Sequence, residues 1–130
     1  MLPIEVAAKD VLPGPVKAKV VSVYDGDTFK AEAHIWLDQY VTVNVRVVGA
    51  DTPELRGKCQ REIDLAVMAR DRAIVLMGED VTLSNISHDK YGGRVDATVT
   101  IHDGRDLAAV LIEDDLARPY LGERRQSWCE

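Results

Sequence analysis

The sequence predicts an α+β domain, mainly β, built as a small five-stranded barrel with two to three helices. Three observations carry that prediction. Apolar and polar residues alternate with a period of two in runs at 16–24, 28–36 and 41–48, and again at 81–86 and 94–101. Between Gln60 and Met77 the period becomes helical. The first two alternating runs meet at Asp25-Gly26, a two-residue hairpin signal. A length of 130 residues suits one domain with its own core, and 46% hydrophobic against 29% charged residues is globular composition. No run approaches the roughly 18 consecutive apolar residues of a membrane span.

Residues 1–15 read as a leader ending in Leu12-Pro13-Gly14-Pro15, where two prolines around a glycine stop both helix and central strand. Val16 to Tyr24 is the first strand, with Val16, Ala18 and Val20 alternating against Lys17 and Lys19. A type I′ turn at Asp25-Gly26, with positive φ at both central residues, leads into a second strand, Thr28 to Trp36. Val41 to Val48 is the third, with Val41, Val43, Val45 and Val47 on one face. In the helix, Ala66, Ala69, Ala73, Leu76 and Met77 line one side, flanked by Ile63 and Ile74, with Asp64 and Asp71 opposite. So wide an apolar arc predicts packing on the sheet over most of the helix. Val81 to Ile86 and Arg94 to Ile101 are two further strands. A short helix begins near Asp106 with Leu107, Val110 and Leu111 inward, and Pro119 predicts a helix end nearby. The domain thus covers residues 16–120, with 121–130 as a C-terminal tail. This order fits a closed or partly open barrel of the OB type. A ferredoxin-like sandwich is the competitor, but it requires a helix where this chain has Asp-Gly.

Sixteen Lys and Arg stand against 22 Asp and Glu, a net charge of −6. Proteins that hold nucleic acid by its phosphates usually present a basic field, so this balance counts against such a partner. By region the picture differs. Residues 103–115 hold Asp103, Asp106, Glu113, Asp114 and Asp115 against Arg105 alone. Around residues 46–61, Arg46, Arg56, Lys58 and Arg61 outnumber Asp51 and Glu54. Cys59 and Cys129 belong to no C-x-x-C pair, which argues against a thiolate zinc site. Their spacing leaves two alternatives open: unrelated thiols, or a disulfide closing a loop of about 70 residues. MLPIEVAAKD lacks the basic and apolar regions of a signal peptide, and a mature chain without its signal would look the same.

Three polar clusters are candidates for chemistry: Asp25-Gly26-Asp27-Thr28, Arg46 with Asp51-Thr52-Pro53-Glu54, and Asp89-Lys90-Tyr91-Gly92-Gly93-Arg94. Singly, each has a plain explanation as a hairpin turn, a helix start or a loop. An EF-hand is excluded, because the fifth and sixth positions from Asp25 are Phe29 and Lys30. Together they predict more. Asp27 and Asp51 lie at strand ends, and if those strands pair, two hard carboxylates converge as Ca²⁺ ligands. Arg46 has the opposite parity to the valine row, and Arg94 opposes Val95, Ala97, Val99 and Ile101. Two guanidiniums beside a metal and the Glu54 carboxylate suit phosphoryl chemistry. His34, His88 and His102 show no ligand spacing, and no serine has a nucleophile-elbow context. Trp36 and Trp128 are expected in packing rather than in stacking on bases.

These motifs resemble the staphylococcal nuclease (thermonuclease) family, over residues 16–120. The resemblance is carried by Val23-Tyr24-Asp25-Gly26-Asp27-Thr28, by Arg46-Val47-Val48-Gly49-Ala50-Asp51-Thr52-Pro53-Glu54 and by Asp89-Lys90-Tyr91-Gly92-Gly93-Arg94. It implies an OB-type barrel and a Ca²⁺-dependent endonuclease, a hydrolase of phosphodiester bonds in DNA and RNA without sequence specificity. Asp27, Asp51 and the Thr52 carbonyl would be metal ligands, and Arg46 and Arg94 would hold the phosphate and stabilise the transition state. Glu54 would occupy the general-base position, while Lys90 and Tyr91 would line the nucleotide pocket. Similar bacterial chains with an Arg-Gly-Lys-Cys segment and a Ser-Trp-Cys ending are exported, which implies a Cys59–Cys129 pair. The accompanying expectations are a monomer with no obligate protein partner and no membrane span. The location would be secreted or periplasmic where a signal has been removed, and cytoplasmic otherwise. The alternative is a non-catalytic nucleic-acid- or protein-binding module on the same fold. A third reading, an acidic Ca²⁺-binding structural domain, leaves both arginines unexplained.

Overall fold

Alternation along the strands decides which side chains fill the interior. The computed structural model describes residues 10–90 and 92–129. Its elements are β1 (Val11–Leu12), β2 (Val16–Asp25), β3 (Thr28–Trp36), β4 (Gln39–Val47), β5 (Gly49–Asp51), α1 (Gln60–Met77), β6 (Asp80–His88), β7 (Val95–Thr100), α2 (Leu107–Glu113) and β8 (Arg118–Tyr120). β2, β3 and β4 form an antiparallel meander, and β6 pairs antiparallel with both β2 and β7. β7 runs parallel to β4, so five strands close a ring in the order β6, β2, β3, β4, β7. The fold is therefore a closed, mixed five-stranded barrel with two helices among the described residues. β1, within the segment expected as leader, adds to the outer edge of β6.

The barrel is filled by Phe29, Val45, Val47, Leu83 and Val99, all at most 2% exposed. The valine row of β4 keeps one parity, but only its inner half meets the core. Val45 and Val47 are buried while Val41 is 42% exposed. The reason is geometric: the β3–β4 hairpin runs past the barrel wall to its turn at Leu37-Asp38, where Asp38 takes φ 57°. In α1 the buried stripe is Ala66, Ala69, Ala73, Leu76 and Met77, narrower than the predicted arc, for Ile74 and Val75 face solvent. The small alanines let α1 lie close on β2 and α2. α2 buries Leu107, Val110 and Leu111 as expected from their spacing. It ends before Pro119 does anything: Asp115 turns into the left-handed region at φ 60°, and Leu116 N–H returns to Leu111 O at 2.9 Å. Pro119 instead lies in β8, which pairs with β5.

The β2–β3 turn differs from its sequence expectation. Asp25 pairs with Thr28, so the two loop residues are Gly26-Asp27, and neither has positive φ. The turn is not type I′. Gly26 is required for closeness instead: a Cβ there would meet Ala69 Cβ and Thr52 Cγ2, each at 3.0 Å. Its missing side chain lets the hairpin press between α1 and the segment after β5, which brings Asp27 to Thr52.

Candidate functional site

Asp27 is fixed from three sides. Its Oδ2 accepts the Thr52 N–H at 3.0 Å and lies 3.2 Å from Arg46 Nη1, while its Oδ1 accepts the Thr28 hydroxyl at 3.1 Å. Arg46, one strand over and paired with Thr28, also donates from Nη1 to the carbonyls of Val47 and Ala50 at 3.0 and 2.9 Å. Its Nη2 reaches toward Asp51 Oδ1 at 4.0 Å, and its guanidinium faces the Tyr120 ring at 5.7 Å. Gly49, at φ 99°, makes the bend that lets β5 carry Asp51 back over Arg46. Asp27 and Asp51 are both buried, and a buried carboxylate persists only with charge or hydrogen-bond compensation.

Much of that compensation comes from a residue the motifs do not contain. Arg125, in the C-terminal tail, donates from Nε to Asp51 Oδ1 at 2.7 Å and from Nη1 to Glu54 Oε1 at 2.6 Å. Its Nη2 is 3.4 Å from the Thr52 carbonyl. Burial works against its charge, but the bond to Asp51 and the charges of Asp51, Glu54 and Asp27 prevail, holding its pKa above the ordinary arginine value. The tail is fastened by the Cys59–Cys129 disulfide, with a Cα–Cα distance of 5.8 Å. Arg118 strengthens the attachment: its Nη1 donates to Ser127 O at 2.8 Å and its guanidinium stacks 3.8 Å from the Trp128 ring.

The 52–59 loop is organised by Glu62, whose carboxylate accepts the N–H groups of Glu54 and Lys58 at 3.2 and 3.1 Å. Gly57 makes room for it, since a Cβ there would come within 2.6 Å of the Glu62 side chain. Asp25 anchors the same loop by accepting the Leu55 N–H at 2.9 Å. Burial raises the Asp25 carboxyl to about 6; the Leu55 bond opposes this, and the charges of Asp27 and Glu54 reinforce it.

Just before the neighbouring strand β7, Arg94 Nε lies 3.1 Å from Asp89 Oδ2. Gly92 and Gly93 both have positive φ, which lets the chain double back so that Asp89 N–H meets Arg94 O at 3.1 Å. Asp96, opposite Arg46 in the parallel β4–β7 register, has its pKa raised by burial and by its hydrogen bond and repulsion with Asp89. Asp27, Arg46, Asp51, Glu54, Lys90 and Arg94 line one cleft of about 770 Å³. Thr52 is fully buried behind it, its carbonyl accepting from Arg125 Nη2. Tyr91 lies outside the described residues. The sequence motifs miss Asp25 and Asp96 as perturbed acids and Arg125 as a partner; only the tail's Arg124-Arg125 pair before Cys129 hints at the last.

Hard oxygens only (two carboxylates, a carbonyl and Glu54 at the rim) suit Ca²⁺ rather than a soft metal. Among the described residues no three His, Cys, Asp or Glu side chains form a metal cage of their own. Asp27, Asp51 and the Thr52 carbonyl are the candidate oxygen donors for a hard cation here. Asp51 Oδ1, Glu54 Oε1 and the Thr52 carbonyl converge on one guanidinium, that of Arg125. Among the described residues, no helix is long and apolar enough to cross a membrane. No protein-family model matches the chain, and no curated protein matches it significantly.

Proposed function

We propose that this protein is a Ca²⁺-dependent, sequence-non-specific nuclease of the staphylococcal nuclease type, hydrolysing phosphodiester bonds of DNA and RNA on an OB-type barrel. The single observation that carries the reading is the gathering of Asp27, Arg46, Asp51, Glu54 and Arg94 from three separate motifs into one cleft. The strand order, a meander closed by a parallel β4–β7 pair, supports the OB-type assignment. Asp27, Asp51 and the Thr52 carbonyl would hold Ca²⁺, which when bound supplies fixed positive charge beside the phosphate.

The remaining chemistry falls to the chain's own residues. Arg46 and Arg94, from the paired strand β4 and the entry to β7, engage non-bridging phosphate oxygens and offset the charge that develops there. Glu54 takes the proton from an attacking water, whose oxygen forms the new bond to phosphorus as the bond to the leaving sugar oxygen breaks. The leaving oxygen takes a proton from solvent. Lys90 supports binding on the loop wall. The rival, a binding module without catalysis, would have no use for Glu54 beside paired carboxylates and two arginines.

Digestion of DNA and RNA with added Ca²⁺ or with EGTA tests the proposal. Cleavage in Ca²⁺ that stops in EGTA is expected. Absence of cleavage by folded protein in Ca²⁺, with nucleic-acid binding retained, would establish the binding-module alternative instead.

A further inference from the structure

Arg125 and a divalent cation need the same atoms. Its Nε is on Asp51 Oδ1 and its Nη2 faces the Thr52 carbonyl, two of the three ligands in the proposed cation site, while its Nη1 is on Glu54 Oε1. A guanidinium and a Ca²⁺ ion on the Asp51 carboxylate and the Thr52 carbonyl repel each other at contact distance. Each therefore weakens the other's hold on the site.

The guanidinium is also tethered. Its segment starts from β8, which is paired to β5, and is fastened again at Cys129 by the disulfide to Cys59 at the start of α1. Between them Arg118 grips Ser127 and Trp128, and Glu123 accepts the Leu121 N–H at 3.1 Å. A strap fixed at both ends presents Arg125 at a high effective concentration, well above that of a free tail.

We propose that Arg125 is a built-in competitor of the divalent cation, held in place by the Cys59–Cys129 disulfide, so that the tail sets how much cation the site requires. The inference rests on the reading of Asp27, Asp51 and Thr52 as a cation site. Reduction by a dithiol converts the disulfide to two thiols while the dithiol forms its own disulfide, with two electrons and two protons transferred. The strap then has one free end, and the cation binds more tightly. By linkage, the cation in turn loosens the strap.

Calorimetric titration of Ca²⁺ into the full chain, without nucleic acid, tests this directly. Arg125→Ala is expected to bind Ca²⁺ about tenfold more tightly than wild type. Dithiol-treated wild type should shift in the same direction by a smaller factor. Equal affinities within about twofold, or weaker binding by Arg125→Ala, would overturn the proposal. Asp51→Asn separates the two layers. If it alone abolishes binding while Arg125→Ala matches wild type, the cation site stands and the competitor fails. If wild type and Arg125→Ala both fail to bind Ca²⁺, both ideas fall. Circular dichroism verifies folding, and Arg125→Gln is read in the same way if the alanine variant is not native.

Discussion

The two arginines of the cleft, on β4 and at the entry to the neighbouring β7, are held by different means. Arg46 stands inside β4, between the antiparallel β3 and the parallel β7, and its Nη1 alone reaches two carbonyls and a carboxylate. Arg94 stands just before β7, after two glycines in left-handed conformation, and its Nε pairs with Asp89. Their side chains are 15% and 32% exposed. Strand register fixes Arg46, whereas a turn and an ion pair fix Arg94. Arg46 therefore supports more of the surrounding fold than Arg94 does.

Substitutions should expose this contrast, beginning with Arg46. Arg46→Ala is expected to lower kcat by about 10²–10³, and Glu54→Gln by at least about 10², the scale of losing one group that meets transition-state charge or a transferred proton. Arg46→Ala should also destabilise the fold, because buried Asp27 loses its partner. Initial rates on DNA alongside urea denaturation read both effects. Losses below about tenfold in rate would move the chemistry elsewhere.

Arg94→Ala comes next. We expect about 10² in kcat with a smaller loss in urea midpoint than for Arg46→Ala: buried Asp89 also loses an ion pair, but Arg46 in addition supports two carbonyls. A midpoint shift as large as that of Arg46→Ala would erase the distinction between the two arginines.

Replacing both cysteines, Cys59→Ser with Cys129→Ser, should cost about 2 kcal/mol, at the low end for a disulfide because the tail it fastens buries little apart from Trp128. Thermal unfolding of the variant against the oxidised parent measures it.

The smallest effect is pH-dependent. The folded Asp25 carboxyl titrates near 6 against an ordinary 3.8, so the folded state retains a proton that the unfolded chain has lost. Its contribution therefore favours folding less and less as pH rises from about 4 to about 6, and above that the cost is complete. Asp25→Asn keeps an acceptor for the Leu55 N–H and removes the charge. Without added divalent cation, the variant should gain about 3–5 °C in Tm at pH 8, as expected for about 1 kcal/mol, and almost nothing at pH 4. An equal gain at both pH values would assign the effect to something other than ionisation.

Sequence periodicity reached the strands and the long helix because each carries its burial pattern within a few residues. α1 spans Gln60–Met77 in both sequence pattern and structure. The Asp25-Gly26 turn was less legible, since the need for glycine arises from Ala69 and Thr52, which meet it only in the folded barrel. Arg125 was hidden for the same reason. It contacts residues more than seventy positions away, and no local pattern encodes that approach. Asp96 alternates properly with Val95 and Ala97, so nothing in the strand pattern distinguishes it until Asp89 is folded beside it.

The two tryptophans give the molecule separate optical reporters. Trp36, 73% exposed near the β3–β4 turn, is surrounded by solvent, whereas Trp128 is 8% exposed beneath Arg118 and next to the bonded Cys129. With Trp36→Phe, emission comes from the tail alone. Departure of the strap from its seat then registers as a red shift from one ring, so its position can be followed in real time without a label.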